Sequence, residues 1–413
     1  EANALGIGSV QVANATGSGV NGGIANLDYT NSGTVKVDVK ADAVADAEAD
    51  TTALAIGHVQ SAWGSNSTGV VNFTNSKDFS VSASSKANTT SATSTDSEAA
   101  AVAVGYVGAA GTQSIKATNS GNFTVAALAE AEDYTNAQAI GMLVLGNDTT
   151  PAASVSNVYD TPVTIVNSGN LAVTATAKDT NATASAPTNT SDNVARAGGI
   201  ILAGSVDNAV VTNSGSITTT AIASPGGLAE AYGISFLGNT TSYEAGDKIT
   251  INNNAGSITS RVSTDNGATY KWGKAIDTWG ATAPVNVNLN GGANGAVGKI
   301  YGIVDITADD TITVANGETQ LNGRVNKAGE LEGKLIIAKG GTLYLQDRPE
   351  DKFGTVAGDN YNGPSKVYVD SFTNAGGGIL AIETPVHNTT GEVPYASYPQ
   401  VFTNSADITG GVL

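Results

Sequence analysis

Tyr29-Thr30-Asn31-Ser32-Gly33, Phe73-Thr74-Asn75-Ser76 and Ala117-Thr118-Asn119-Ser120-Gly121 are copies of one turn signal. The signal returns as Ile165-Val166-Asn167-Ser168-Gly169 and Val211-Thr212-Asn213-Ser214-Gly215. A looser copy is Ile251-Asn252-Asn253-Asn254-Ala255-Gly256. Asn31, Asn75, Asn119, Asn167 and Asn213 follow one another at 44, 44, 48 and 46 residues. A sustained period in this range is the signature of stacked repeats.

Each turn is followed by an alternating stretch. After Asn31 the odd positions Val35, Val37, Val39, Ala41, Ala43, Ala45, Ala47 and Ala49 are apolar. The even positions Lys36, Asp38, Lys40, Asp42, Asp46, Glu48 and Asp50 are charged, with Val44 the exception. Period 2 predicts a strand with one face inside and one in water. Ala41 to Asp50 has helical propensity, but a helix would spread these charges over every face. The inward column runs large, medium, small, small in each repeat: Phe79, Val81, Ala83; Phe123, Val125, Ala127; Leu171, Val173, Ala175.

A second strand follows, read in Ala4-Leu5-Gly6-Ile7-Gly8, Ala53-Leu54-Ala55-Ile56-Gly57 and Ala101-Val102-Ala103-Val104-Gly105. Polar loops of variable length separate the strands, such as Asn88 to Asp96 and Asp179 to Asp192. A short third strand, as in Val70-Val71-Asn72-Phe73, leads back into the turn. Three strands per period predict an all-β parallel β-helix, a β-solenoid with coils of roughly 40–48 residues. Stacked turns would align Asn31, Asn75, Asn119, Asn167, Asn213 and Asn253 as a hydrogen-bonded amide ladder. Asparagine tolerates the left-handed backbone of a tight turn, and the glycine that follows is permissive too.

Two sections are expected: residues 1–279 with the Asn-Ser-Gly turns, and residues 280–413 with shorter, glycine-rich coils. At about 4.8 Å per coil, the six repeats before residue 265 span roughly 30 Å.

Composition narrows the function. Fifty Gly, 14% charged residues, 6% aromatics and no Cys suit narrow stacked coils. The absence of cysteine excludes disulfides and thiolate chemistry. A net charge of −18 with 19 Lys+Arg argues against nucleic acid, which demands clustered cations. A divalent cation is the natural counterion. No run of about 18 apolar residues predicts a membrane-spanning helix. Glu1-Ala2-Asn3-Ala4 reads as a processed mature end.

The repeated Thr-Asn-Ser-Gly turns resemble the passenger domain of a bacterial autotransporter. So do the segments Gly340-Gly341-Thr342-Leu343-Tyr344-Leu345 and Gly376-Gly377-Gly378-Ile379-Leu380-Ala381-Ile382. The last two are similar to that family's terminal, fold-promoting coils. The resemblance implies right-handed coiling, export through the outer membrane, display at the extracellular bacterial surface, and roles in adhesion, aggregation or a surface coat.

Catalytic signals are sparse. The histidines are His58, read as a strand residue on the outer face, and His387, in a terminal loop. No nucleophile elbow, zinc helix or phosphate loop occurs. The acidic row Asp38, Asp42, Asp46, Glu48 and Asp50 offers oxygens to calcium or to a cation bridging two molecules. Neighbours two apart on a strand lie nearly 7 Å apart, so one ion also needs a neighbouring coil or a second copy. Asp359-Asn360-Tyr361-Asn362-Gly363 is a weaker oxygen-rich loop. The expected function is a non-enzymatic surface rod, without a cofactor unless calcium, that associates with itself as a coat or filament. An adhesin gripping glycans or host proteins through its variable loops is the alternative, and a polysaccharide-degrading β-helix is a second.

Overall fold

The computed structural model describes residues 1–14, 24–63, 69–90, 96–111, 114–146, 161–181, 192–204, 206, 208–238, 248–281, 283–346, 364–383 and 399–412. His387, the 359–363 loop and most of each variable loop lie outside them.

The chain is a parallel β-solenoid. Three columns of strands wind around one apolar core, and strands pair in parallel with their equivalents one coil later, apart from the short Lys271–Trp272, which runs antiparallel to Ser257–Ser263. The first column, here the glycine sheet, begins Ala2–Asn14, Glu48–Trp63, Asp96–Ala110, Tyr134–Gly146, Asn193–Ala203 and Leu228–Leu237. The asparagine sheet begins Leu27–Asn31, Val70–Asn75, Ser114–Asn119, Val163–Asn167, Ala209–Asn213 and Ile249–Asn254. The alanine sheet begins Val35–Ala45, Phe79–Thr89, Asn122–Ala131, Asn170–Asp179, Ser216–Ala223 and Ser257–Ser263.

Register keeps like over like. Val35, Phe79, Phe123, Leu171, Ile217, Ile258, Ile300, Leu321 and Leu345 form one column in the alanine sheet. From Phe79 onward these side chains are almost fully buried. The taper from Phe or Leu to Ala fits a cross-section that narrows along the sheet, and stacking then buries every side chain between its copies.

In the glycine sheet the alanines point inward and the larger apolar residues outward. Ala53 and Ala55 are buried, while Leu54 and Ile56 are half-exposed. The alternation then flips, because Gly57 and His58 are both inside. The flip recurs at Gly105, Gly141, Gly199 and Gly233. A methyl on Gly105 would sit 2.6 Å from the carbonyl oxygen of Gly141, and one on Gly141 would sit 2.5 Å from that of Gly199. Each such methyl would also strike the large residue of the facing alanine sheet, Phe123 or Leu171. The glycine column is thus the waist at which two sheets touch. Past it, Ser9, His58, Tyr106, Met142, Ile200, Ile234 and Ile276 stack as one column.

Parallel pairing runs across residue 280 without a break, because Ile249–Asn254 pairs with Val285–Asn290 and 257–259 with 299–301. The step between equivalents drops to 36 residues at Asn252 to Asn288. It falls further at Leu289 to Val314 and Val314 to Ile337. Here one strand serves two columns: Gly298–Asp305 pairs through 299–301 with the alanine sheet and through 303–305 with the glycine sheet. Gly302 turns this corner at φ 148, stacked on Gly323 at φ 151. Both lie in a region that L side chains avoid.

Candidate functional site

The ladder asparagines are brought together. Nδ2 of Asn31 donates to Oδ1 of Asn75 at 2.7 Å, and Asn75 to Asn119, Asn119 to Asn167, Asn167 to Asn213 and Asn213 to Asn253 follow, each at 2.8 Å. The second amide hydrogen reaches a backbone carbonyl of the following coil, for example Asp78 from Asn31 and Ser216 from Asn167. Asn253 ends the run by donating to Gly256 O, since Leu289 is the next residue in register. Buried amides need partners, and stacking supplies them.

The backbone at these turns differs from the sequence expectation. None of the ladder asparagines has positive φ, and neither do Gly33, Gly121, Gly169 and Gly215. Only the loose copy uses the left-handed region, at Ala255. The glycines are small for a different reason. A methyl on Gly169 would overlap the Gly121 carbonyl, and one on Gly215 the Gly169 carbonyl. Coil-to-coil approach sets the requirement.

The acidic row is divided between two sheets. Val35–Ala45 ends before Asp46, which lies in a turn, and Glu48 and Asp50 belong to the glycine-sheet strand Glu48–Trp63. The inward parity of alanine continues across that turn, so the sequence pattern hides it. Asp38 accepts from Ser82 Oγ at 2.7 Å, and this bond holds its carboxyl below the usual range. Asp42 stacks beside Lys86, and Asp46 accepts from Thr90 at 2.7 Å. In backbone register Glu48 is paired with Asp96 and Asp50 with Glu98. Farther along the Asp42 row, Glu130 sits between Lys86 and Lys178, at 2.5 and 3.3 Å. Charges there alternate along the axis. Among the described residues no three carboxylates or imidazoles are close enough to hold a metal ion.

His58 is inside, not on the outer face. The phase flip at Gly57 turns it into the core, where it is fully buried. Its ring stacks on Tyr29 at 3.9 Å between centroids, and its Nδ1 lies 2.6 Å from Ser9 Oγ. Nε2 has no hydrogen-bond partner. Burial pushes the imidazole pKa down to about 4. Next to it, Gln60 donates to Gln11 at 2.8 Å and to Asn72 O at 3.1 Å, and Tyr106 OH donates to Gln60 Oε1 at 3.1 Å. Burial raises the Tyr106 phenol pKa. This polar core is a packing solution.

The surface feature that sequence reasoning missed is the outer side of the glycine sheet. The phase flip sets outward apolar residues on both sides of the glycine column, and the low exposure of Val104 and Ile201 on its two sides, 8% and 5%, marks a shallow concave strip between them. At Gly198 a methyl would come within 2.8 Å of the Ile201 side chain, so the two walls touch there. One wall carries Ile7, Ile56, Val104 and Ile140 in register, and the other Val10, Val59, Val107, Leu143 and Ile201. Leu5, Leu54 and Val102 widen the first wall. Exposure is greatest in the first coil, where Leu5 is 66% and Val12 67% accessible. Toward the later coils the stripe gives way to Arg196 paired with Glu230 at 2.7 Å, and to Ser235. The clue in the sequence was Ala-Leu-Ala-Ile-Gly itself, an alternation whose larger members are the outward ones.

No protein-family model, curated protein or solved structure matches the chain. No described helix is long and apolar enough to cross a membrane.

Proposed function

We propose that the chain is a rigid rod of the bacterial cell surface that builds a coat or filament by associating with copies of itself. The apolar groove along the glycine sheet supports this reading most strongly. The outward Leu, Ile and Val are exposed in the first coil and half-exposed in the next three, apart from the buried Val104, and an apolar stripe of this kind marks an interaction site. The remainder of the chain is acidic, at −18 overall, so copies repel except where apolar surface or cations hold them together. In this reading the stripe supplies contact, and the carboxylates of the first coils, Asp38 to Asp50, take divalent cations between molecules. The rod presents surface and performs no turnover. Its extracellular location and its kinship to autotransporter passengers belong to the same proposal, carried by the turn and terminal-coil motifs.

Negative-stain microscopy of the purified chain, in millimolar calcium and in chelator, tests the reading. Sheets or filaments in calcium are the expected result, thinning or shortening with chelator. Isolated short rods in both conditions would sink it and favour loop-mediated adhesion.

A further inference from the structure

A recess opens at the level where the coils shorten. Lys274, Ile303 and Arg324 occupy equivalent positions on three successive coils, each following a glycine corner. Trp279 follows the last strand of the longer coils, Lys274–Asp277, and overhangs the shorter ones. Together with Asp305, Lys327 and Glu330 these residues line a cavity of about 200 Å³. Trp279 is 58% exposed, in a chain that has three tryptophans. An indole left open at the mouth of a cavity has lost apolar burial and is poised to regain it with a ligand.

The polar side chains are fixed. Lys274 Nζ lies 2.9 Å from Asp305 and 3.1 Å from Asp277. Burial works against its charge, but the two carboxylates more than offset this and raise its pKa. Lys327 pairs with Glu330 at 3.0 Å. Lys274, Arg324 and Lys327 line the recess with Asp305 and Glu330, and Asp277, which pairs with Lys274 from behind the lining, balances the third cation, so no excess charge is left to attract an anion. It offers both donors and acceptors beside an aromatic face. Hydroxyl groups, which donate and accept, match that set. The volume is below the roughly 300 Å³ at which pockets for drug-sized ligands begin, which leaves room for about one ring.

We propose that this recess binds one ring of a neutral hexose-based glycan, stacked on Trp279, with its hydroxyls held by Asp305, Lys274 and Arg324. The site is independent of the association groove, which lies on earlier coils.

The test is calorimetric or fluorescence titration of the full chain with the methyl glycosides of glucose, galactose and mannose, and with methyl glucuronide. Saturable binding of at least one neutral glycoside is expected, with Kd on the order of 1 mM. Trp279→Ala should weaken it by about ten-fold or more, as removal of an aromatic anchor does, with an unchanged thermal midpoint. Asp305→Asn removes an acceptor while Asp277 still holds Lys274, and should weaken binding too. Failure of all neutral glycosides to bind, binding indifferent to both substitutions, or binding of the uronide alone would overturn the proposal.

Discussion

At Asn119 a single side chain decides whether two neighbouring coils stay satisfied. It donates to Asn167 Oδ1 and to Asn170 O, and accepts from Asn75. Asn119→Ala removes these bonds and strips a buried donor of its main partner, at a cost of about 1–3 kcal/mol. Asn31→Ala, at the first rung, leaves Asn75 Oδ1 without its donor and removes the bonds to Asp78 O and from Gly33 N, but strands no ladder donor, because no earlier asparagine donates to Asn31. Urea unfolding is expected to rank Asn119→Ala well below Asn31→Ala in stability, and equal losses would count against a cooperative ladder. His58 gives a pH signature. Its pKa is near 4 in the folded chain and about 6.5 when unfolded, so between these values the proton is taken up only on unfolding. Stability from this group is whole above pH 6.5 and falls as the pH drops toward 4, by at most about 1.4 kcal/mol per unit. His58→Phe keeps the stack on Tyr29 and removes the titration. The urea midpoint of the variant should fall less than that of the parent between pH 7 and 4.5; parallel curves would remove His58 as the source. The ladder asparagines were legible from their spacing. The inward turn of His58 was not, because it depends on the phase flip at Gly57, which a two-residue period does not reveal.

At the scale of the element, glycine is where the coils touch. Gly169 stacks on the Gly121 carbonyl, whereas a methyl on Gly33 has nothing within 4 Å. Gly169→Ala is therefore expected to lose about 1–3 kcal/mol, as overpacking does. Gly33→Ala should stay within about 0.5 kcal/mol, the range of a surface change. Thermal melts of the pair check this. If Gly33→Ala proves as damaging as Gly169→Ala, backbone freedom rather than close approach is the cause. The inward column of the alanine sheet was readable from alternation and taper. Its end at Ala45 was not, since Ala-Asp-Ala-Glu-Ala-Asp keeps its parity through the turn at Asp46 and Ala47. The acidic row consequently looked like one face when it belongs to two sheets. Sequence spacing also left the short coils unassigned to columns, because one strand there serves two sheets around Gly302 and Gly323.

At the scale of the molecule, repeats that stack at about 4.8 Å make a rod whose early coils carry an outward apolar stripe. The period alone fixed the architecture, but not which apolar residues face out. The proposed role rests on that outward set. The chain itself indicates how to break the stripe in its second and third coils without disturbing the fold. Arg196 and Glu230 occupy the register column of Leu54 and Val102 and form an ion pair, and Ser235 occupies the column of Val59. Leu54→Arg, Val102→Glu and Val59→Ser together transplant a later, polar coil onto the stripe. Sedimentation velocity of the parent and this triple variant at micromolar concentration, in calcium, is the most direct measurement, with circular dichroism to verify the coil. Concentration-dependent assembly of the parent and a monomeric, equally folded variant are the expected results. Assembly that persists unchanged in the variant would contradict the account.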